Sequence, residues 1–286
     1  MCNLHGTTDT QHLRTLLFAK TLPATGWDMT VSPLKTGVFI RQHGEALAGQ
    51  WGMIPPGATD RVPRSKTTGR PLSTNNARRE TVATAWTFRF PWARGQRCLI
   101  PAWWYQEPYW GISHTDLMTS TPKSIPWHFR RADVEPWALA GLWSEWTDPG
   151  TVEVLPNNTM LTQNSDGHPV LGLMHRPDKS QASDPQDKRS VVPNERADWD
   201  AWLHGSREQA EGLISVPSVE LLDHGSADRG NQSRLPLQSP GSGQGLLAGL
   251  SVKTDFVEGS KHGCRLIPAW RLTPSLASWR NPVQSL

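Results

Sequence analysis

Apolar residues occur along this chain in short runs that turn residues separate. Leu13, Leu16 and Leu17 share one face at helical spacing, and Thr8 and Asp9 precede them as candidate N-caps, so a short helix is predicted there. Other runs end at proline or glycine and predict short β-strands. They comprise Val31 and residues 38–40, 50–54, 97–101, 138–146 and 159–163.

Two further helices are predicted from the pattern. The first follows residues 76–78 and extends to about residue 95, with Pro91 kinking or ending it. The second is capped by Asn194 and closed by Gly205, and its apolar residues share one face: Trp199, Trp202 and Leu203. Many short strands with few helices indicate an α+β fold built around an antiparallel sheet.

The composition changes near residue 223. From His224 to Ser251, 13 of 28 residues are glycine, serine or proline, without periodicity. Such a segment buries too little apolar surface to offset the entropy lost on ordering. We therefore predict a folded domain over residues 1–222 and a flexible tail over residues 223–286.

Composition excludes several classes of protein. The 286 residues are 36% hydrophobic, which supplies one large core, but no run approaches the roughly 18 apolar residues of a membrane span. The N-terminus lacks the pattern of a signal peptide. Cys2, Cys98 and Cys264 lie far apart, so neither a zinc knuckle nor a disulfide framework is predicted. We expect a cytoplasmic monomer that needs no metal or other cofactor.

Positive charge is concentrated in one segment, although the whole chain carries only +3. Between Arg61 and Arg97, eight arginines and Lys66 face a single acidic residue, Glu80. Such a segment is typical of a phosphate-binding surface, and a solvated charged face is the alternative. The chain also has 15 tryptophans against six phenylalanines and two tyrosines. Tryptophan packs in cores and stacks on unpaired bases, so both interpretations stay open.

Cys2 becomes the N-terminal residue once Met1 is removed, as is usual before a small residue. It then has an α-amine and a thiol on adjacent carbons. The amine, with a pKa of about 7.7–8, is partly neutral near pH 7 and can form a Schiff base with an aldehyde. The thiol can then close a thiazolidine ring in an intramolecular step. The ring-opened sugar of an abasic site suits this trap; an ordinary start-proximal cysteine is the alternative.

An ordered series of motifs follows Met1-Cys2. It consists of Trp51-Gly52-Met53-Ile54-Pro55, Asn76-Ala77-Arg78-Arg79-Glu80-Thr81, Arg97-Cys98-Leu99-Ile100-Pro101-Ala102, Glu107, Ala140-Gly141-Leu142-Trp143, Met160-Leu161-Thr162 and Met174-His175-Arg176-Pro177. In this order the motifs resemble the SOS-response-associated peptidase (SRAP) family, the abasic-site processing proteins, over roughly residues 1–222. The resemblance implies a mostly antiparallel, open barrel-like sheet with short flanking helices.

The resemblance also implies four catalytic residues: Cys2, Asn76, Glu107 and His175. Asn76 is the asparagine of the Asn-Ala-Arg-x-Glu-Thr motif, and Asn75 falls one place outside it. Glu107 follows Ala102 by five residues, as the family glutamate does. His175 precedes an Arg-x-Pro stretch that an insertion splits, and His168 is the alternative.

Each implied residue has a physical role. Asn76 would hold the α-amine through its side-chain oxygen. Glu107 would move protons, with a pKa raised by partial burial. His175 would protonate the sugar-ring oxygen or assist the loss of water.

Contacts with DNA are implied for six residues. Arg78 would bind phosphate, with Arg79 and Arg97 as second choices, and the candidate stacking surfaces are Trp51, Trp103 and Trp104. Two positions depart from the family: Asn3-Leu4 stands where many relatives have Gly-Arg, and Pro108 stands where an aromatic residue is common. One phosphate contact and part of the base stacking are therefore expected to differ.

The function expected from these residues is that of an abasic-site sensor. It would cross-link to single-stranded DNA through Cys2, shield the lesion, and associate with the nucleoid when bound. Autopeptidase activity and strand cleavage by an abasic-site lyase reaction would accompany it. The alternatives are a cysteine-dependent peptidase or amidohydrolase that uses Cys2 and His175, and a non-catalytic single-strand-binding module.

Overall fold

The computed structural model describes residues 2–115, 122–177 and 186–227. The strands are β1 Leu4–Gly6, β2 Thr30–Val31, β3 Thr36–Arg41, β4 Glu45–Trp51, β5 Asn76–Arg78, β6 Arg97–Ala102, β7 Trp104–Thr115, β8 Pro122–Arg131, β9 Trp137–Thr147, β10 Val154–Asn164, β11 Arg189–Val191 and β12 Leu222–Ser226. The helices are α1 Thr10–Thr15, α2 Arg89–Ala93, α3 Trp199–His204 and α4 Arg207–Gly212. No helix in these segments is long and apolar enough to cross a membrane.

Five strands close into a barrel. β3 pairs antiparallel with β4 and β6, β6 with β9, and β9 with β10. β10 then pairs in parallel with β4 and completes the ring. The short strands β5 and β11 continue the ladder along the second half of β10. A closed ring pairs the backbone groups that an open sheet would leave at its edges.

A second sheet of five strands, in the order β12-β8-β7-β1-β2, continues from the barrel because β7 follows β6 after one residue. β1 lies antiparallel to β7, with Leu4 opposite Gln106. The largest apolar cluster joins residues of both sheets, including Cys2, Trp51, Tyr105 and Trp137. The N-terminal residues are therefore fixed inside the fold by strand pairing and burial.

The predicted α+β class is confirmed, with a barrel that is closed rather than open. Helix α1 also forms as predicted: the Asp9 carboxylate accepts the backbone N–H of His12, and Leu13 is buried. β12 extends to Ser226, past the predicted domain boundary at residue 222. The rest of the predicted tail, with Cys264, lies outside the described residues.

Two helix predictions need correction. The helix predicted from after residue 78 to about residue 95 is limited to Arg89–Ala93, and residues 76–78 before it form a strand, β5, which pairs with β10. Pro91 lies in the first turn of that helix, where backbone N–H groups have no partner within the helix. The N-cap of α3 is Asp198 instead of Asn194, whose backbone N–H is bound to Ala138; Gly205 does end α3.

Candidate functional site

Cys2 lies fully buried two residues before the start of β1. Its carbonyl oxygen accepts two side-chain amide hydrogen bonds, from Asn76 Nδ2 at 2.7 Å and from Asn75 Nδ2 at 3.1 Å. Its thiol donates to the carbonyl oxygen of Leu4 at 3.5 Å. The backbone of Cys2 is therefore held from two directions.

Asn76 is the first residue of β5 and Asn75 directly precedes it, and their backbone is fixed by neighbouring elements. The carbonyl oxygen of Asn75 accepts the backbone N–H of Met160 on β10 at 3.0 Å. The Asn76 amide nitrogen contacts the Cys2 carbonyl, and among the described residues its buried oxygen Oδ1 has no hydrogen-bond partner. That oxygen has no partner that would prevent it from binding an α-amine, and this contact stays a prediction. Asn75 lies one place outside the motif, and only the structure brings it to Cys2.

Glu107 and His175 meet beside Cys2. Glu107 is 2% exposed on β7, and its Oε2 lies 3.5 Å from Nε2 of His175. The backbone of His175 adopts a left-handed conformation, with φ of 62°, and its N–H donates to the carbonyl of Pro108 at 2.8 Å. Its carbonyl accepts Lys188 Nζ at 2.8 Å, and Nε2 lies 3.0 Å from the carbonyl oxygen of Arg189. These contacts fix the imidazole next to the carboxyl group.

Burial sets the protonation states of this group. It raises the pKa of Glu107 to about 7. Burial, followed by the charge of Glu107, raises the pKa of the Cys2 thiol well above its usual range. Burial lowers the pKa of His175 to about 4. At pH 7 the site thus combines a neutral thiol, a neutral imidazole and a carboxyl group close to its midpoint, which suits proton transfer in either direction.

His168, the alternative histidine, is committed to its own loop. Its Nδ1 accepts the backbone N–H groups of Val170 and Leu171, and its Nε2 lies 3.0 Å from the carbonyl oxygen of Pro217. Of the two histidines, His175 is the one that contacts Glu107.

The three predicted phosphate ligands differ in accessibility. Arg78 is exposed, and its Nη1 lies 2.8 Å from Oδ2 of Asp187. Arg79 is exposed and donates to Gln163 Oε1 at 3.1 Å. Arg97 is 3% exposed and donates to the carbonyl oxygens of Trp202 and Gly205. It caps the C-terminal end of α3, so this placement does not suit a phosphate contact.

The three predicted stacking surfaces also separate. Trp51 is fully buried, and its indole N–H donates to the carbonyl oxygen of Asn75 at 2.9 Å. It is a core residue, a role that does not suit base stacking. Trp103 is half-buried next to His12, and Trp104 is half-buried and stacked on His128 at 4.4 Å between ring centroids. Of the three predicted stacking residues, Trp103 and Trp104 present aromatic surface and Trp51 does not.

No group of three or more histidine, cysteine or carboxylate side chains converges on a possible metal position within the described segments. The site chemistry available is that of an amine, a thiol, an amide, a carboxyl group and an imidazole.

Comparison with known proteins places the chain in a family. The model of the SOS response associated peptidase (SRAP) family matches residues 7–223. A crystal structure of a protein from Bordetella bronchiseptica is 30% identical, covers 79% of this chain and 99% of its own, and superposes with a TM-score of 0.64.

Two more distant structures show the fold alone. One is a protein from Bacteroides thetaiotaomicron, 17% identical over 78% of this chain and 90% of its own, with a TM-score of 0.57. The other is a phage-related protein from B. bronchiseptica, 14% identical over 80% and 95%, with a TM-score of 0.53. No curated protein matches the sequence. The chain belongs to the SRAP family, as its motifs predicted, and that family links it to the SOS response to DNA damage and to peptidase-like proteins.

Proposed function

We propose that the protein traps the aldehyde of an abasic site in single-stranded DNA as a thiazolidine on Cys2. The observation that carries the proposal is the position of Glu107. This buried carboxyl group has a pKa of about 7, lies 3.5 Å from His175, and is close enough for its charge to raise the pKa of Cys2. It is the group of the site best suited to exchange protons with an N-terminal amine and thiol.

The reaction begins after Met1 leaves. The neutral α-amine of Cys2 attacks the aldehyde carbon, a C–N bond forms, and one proton moves from nitrogen to oxygen to give a carbinolamine. Protonated Glu107 donates a proton to the hydroxyl group, which departs as water and leaves a protonated imine. The carboxylate of Glu107, now ionised, accepts the thiol proton while sulfur bonds to the imine carbon, and the C=N electron pair moves to nitrogen. Amine, thiol and aldehyde become a thiazolidine and one water molecule.

Neutral His175 supports this sequence next to Glu107. Its ring is oriented by the Arg189 carbonyl, and it can carry a proton between the carboxyl group and the sugar-ring oxygen, which favours the open aldehyde. Arg78 and Arg79 would bind the flanking phosphates of the strand, and Trp103 and Trp104 offer surface to unpaired bases. Self-removal of Met1 and strand cleavage through the imine are further activities that we assign to the same site.

A cysteine hydrolase is less well supported by these residues. Such an enzyme uses a thiolate beside an imidazolium, with a cysteine pKa below its usual value. Here burial raises the pKa of Cys2 and lowers that of His175. Both pKa shifts favour a neutral thiol and a neutral imidazole over a thiolate and an imidazolium.

Denaturing electrophoresis tests the proposal. Protein whose Met1 is shown by mass spectrometry to be absent is mixed with single-stranded DNA that contains one abasic site, and the controls are an undamaged strand and Cys2→Ala. A band that survives denaturation and requires both Cys2 and the lesion is expected, with the mass of protein plus DNA minus one water. Acetylation of the α-amine alone should abolish the band. Salt-reversible binding that ignores Cys2→Ala, without any band, would instead identify a plain binding module.

A further inference from the structure

Asn75 connects Cys2 to its neighbour Asn3. Its Nδ2 donates both to the Cys2 carbonyl oxygen and to Oδ1 of Asn3, each at 3.1 Å. Its Oδ1 accepts the hydroxyl of Ser73 at 3.1 Å. Both ends of the buried amide are therefore engaged, and two of its three contacts are with the N-terminal segment.

Two hydrogen bonds hold the backbone carbonyl of Asn75, directly before β5. Its carbonyl oxygen accepts the Trp51 indole N–H at 2.9 Å and the Met160 backbone N–H at 3.0 Å. Trp51 is itself fully buried. The side-chain amide thus projects toward Cys2 from a rigid base, which limits how far the Cys2 carbonyl can rotate.

We propose that Asn75, together with Asn3, is a positioning residue that orients the Cys2 amine and thiol for attack; this inference rests on the proposed function. An N-terminal residue lacks a preceding peptide bond to hold its amine, so the amine direction depends on rotation about the Cα–C bond. One donor on the carbonyl leaves that rotation partly free, whereas two donors, Asn75 and Asn76, restrict it. Both asparagines bind the Cys2 carbonyl through Nδ2, so the side-chain oxygen Oδ1 of Asn76 remains available to the amine.

Geometry of this kind affects rate more than binding, since a small displacement of a reacting group costs up to about 100-fold in rate.

The test measures single-turnover cross-linking at saturating DNA together with affinity for a strand that carries a non-reactive abasic analogue. Asn75→Ala is expected to lower the maximal rate ten- to a hundredfold and to change affinity less than threefold. Asn158→Ala is the matched control, because it removes another buried asparagine, one bound to the Gln50 carbonyl.

Asn3→Ala gives an independent measurement, because Asn3 is exposed and its loss does not disturb the core. Its rate should fall several-fold, and the double variant should be no slower than Asn75→Ala, since Asn3 acts through Asn75. Should Asn75→Ala not fold, the effect of Asn3→Ala on the maximal rate decides the question.

Two results would overturn the inference while leaving the proposed function intact: an Asn75→Ala rate equal to that of Asn158→Ala, or effects of Asn3→Ala and Asn75→Ala that multiply. Absence of any Cys2-dependent band in the wild type would instead overturn the proposed function, and the positioning role with it.

Discussion

The carboxyl oxygen Oε2 of Glu107 lies 3.5 Å from Nε2 of His175, and the two residues reach this position from a strand and from a loop more than 60 residues apart in sequence. Burial leaves Glu107 with a pKa of about 7 and His175 neutral at that pH. The pair is therefore most sensitive to pH near neutrality.

Replacing Glu107 should change both the rate and its pH dependence. The proposed reaction starts from a neutral α-amine, with a pKa of about 7.7–8, and a protonated Glu107, with a pKa of about 7, so the wild-type cross-linking rate should pass through a maximum between these values. Glu107→Gln should be 10²- to 10⁴-fold slower, in the range of general acid–base catalysis, and should retain only the amine's dependence. Rates measured from pH 5.5 to 8.5 check this, with exposed Glu153→Gln as control. An unchanged profile in Glu107→Gln would contradict the proton-transfer role.

His5 should make the fold sensitive to acid. It is fully buried beneath Trp51, and neither ring nitrogen has a partner among the described residues. Burial lowers its pKa to about 3, against about 6.5 in the unfolded chain, so the unfolded state binds more protons between these values. The protein therefore keeps the full stability that neutral His5 allows above pH 6.5, and it loses stability as the pH falls below that value.

Substitution of His5 by phenylalanine should remove this sensitivity while keeping an aromatic ring against Trp51. The free energy of unfolding of His5→Phe minus that of the wild type should be about 2 kcal/mol larger at pH 5 than at pH 8. Urea unfolding at the two pH values measures it, with exposed His43→Asn as the comparison. A difference between variant and wild type that does not depend on pH would disprove the explanation.

Asp187 should compete with DNA for Arg78. Its carboxylate lies 2.8 Å from the Arg78 guanidinium and also contacts Arg189. Asp187→Asn should therefore tighten binding of single-stranded DNA about three- to tenfold at low salt, with the gain shrinking as salt rises.

The matched control is Asp133→Asn, which removes the same charge from an exposed carboxylate that pairs with the mostly buried Arg131. Fluorescence anisotropy measures both variants, alone and combined with Arg78→Ala. An equal gain from Asp133→Asn would show a general effect of net charge, and a gain that persists without Arg78 would locate the competition elsewhere.

Gly6 should tolerate no side chain. A Cβ placed there would overlap the indole nitrogen of Trp104, which packs across β1. Gly6→Ala should cost about 1–3 kcal/mol of stability, because Trp104 or β1 must move, and should slow cross-linking, since β1 positions Cys2. Gly26→Ala, where nothing lies within 4 Å, is the control for both measurements. Wild-type behaviour of Gly6→Ala would mean that Trp104 repacks freely.

Elements whose signal is local could be predicted from the sequence. β6 is short and wholly buried, with apolar residues throughout after Arg97, and α1 has both a capping residue and an apolar face. β7 and β8 were missed because Pro108, Gly111, Pro122 and Pro126 interrupt them with residues typical of turns. Residues 76–78 carry no local strand signal, because only their pairing with β10, distant in sequence, makes them a strand.

The candidate site also contains residues that a local motif locates and residues that only the fold brings into place. Cys2, Asn76, Glu107 and His175 were located by motif, and their roles stay predictions. Motifs carry no information on burial, so they did not separate Arg97 and Trp51, which are buried, from Arg78 and Trp104, which present surface. Asn75 lies one residue outside its motif, and its contact with Cys2 exists only because β5 lies beside β10.

The positions of the site residues along the chain determine when each of them is synthesised. Cys2 leaves the ribosome first, and His175 follows about 170 residues later, roughly ten to thirty-five seconds at ordinary elongation rates. During that interval the nascent chain has the amine and the thiol but neither the imidazole nor the Lys188 contact that orients it. A prematurely terminated chain would therefore present an ordinary N-terminal cysteine, and efficient trapping would be confined to chains that had been completed through β11.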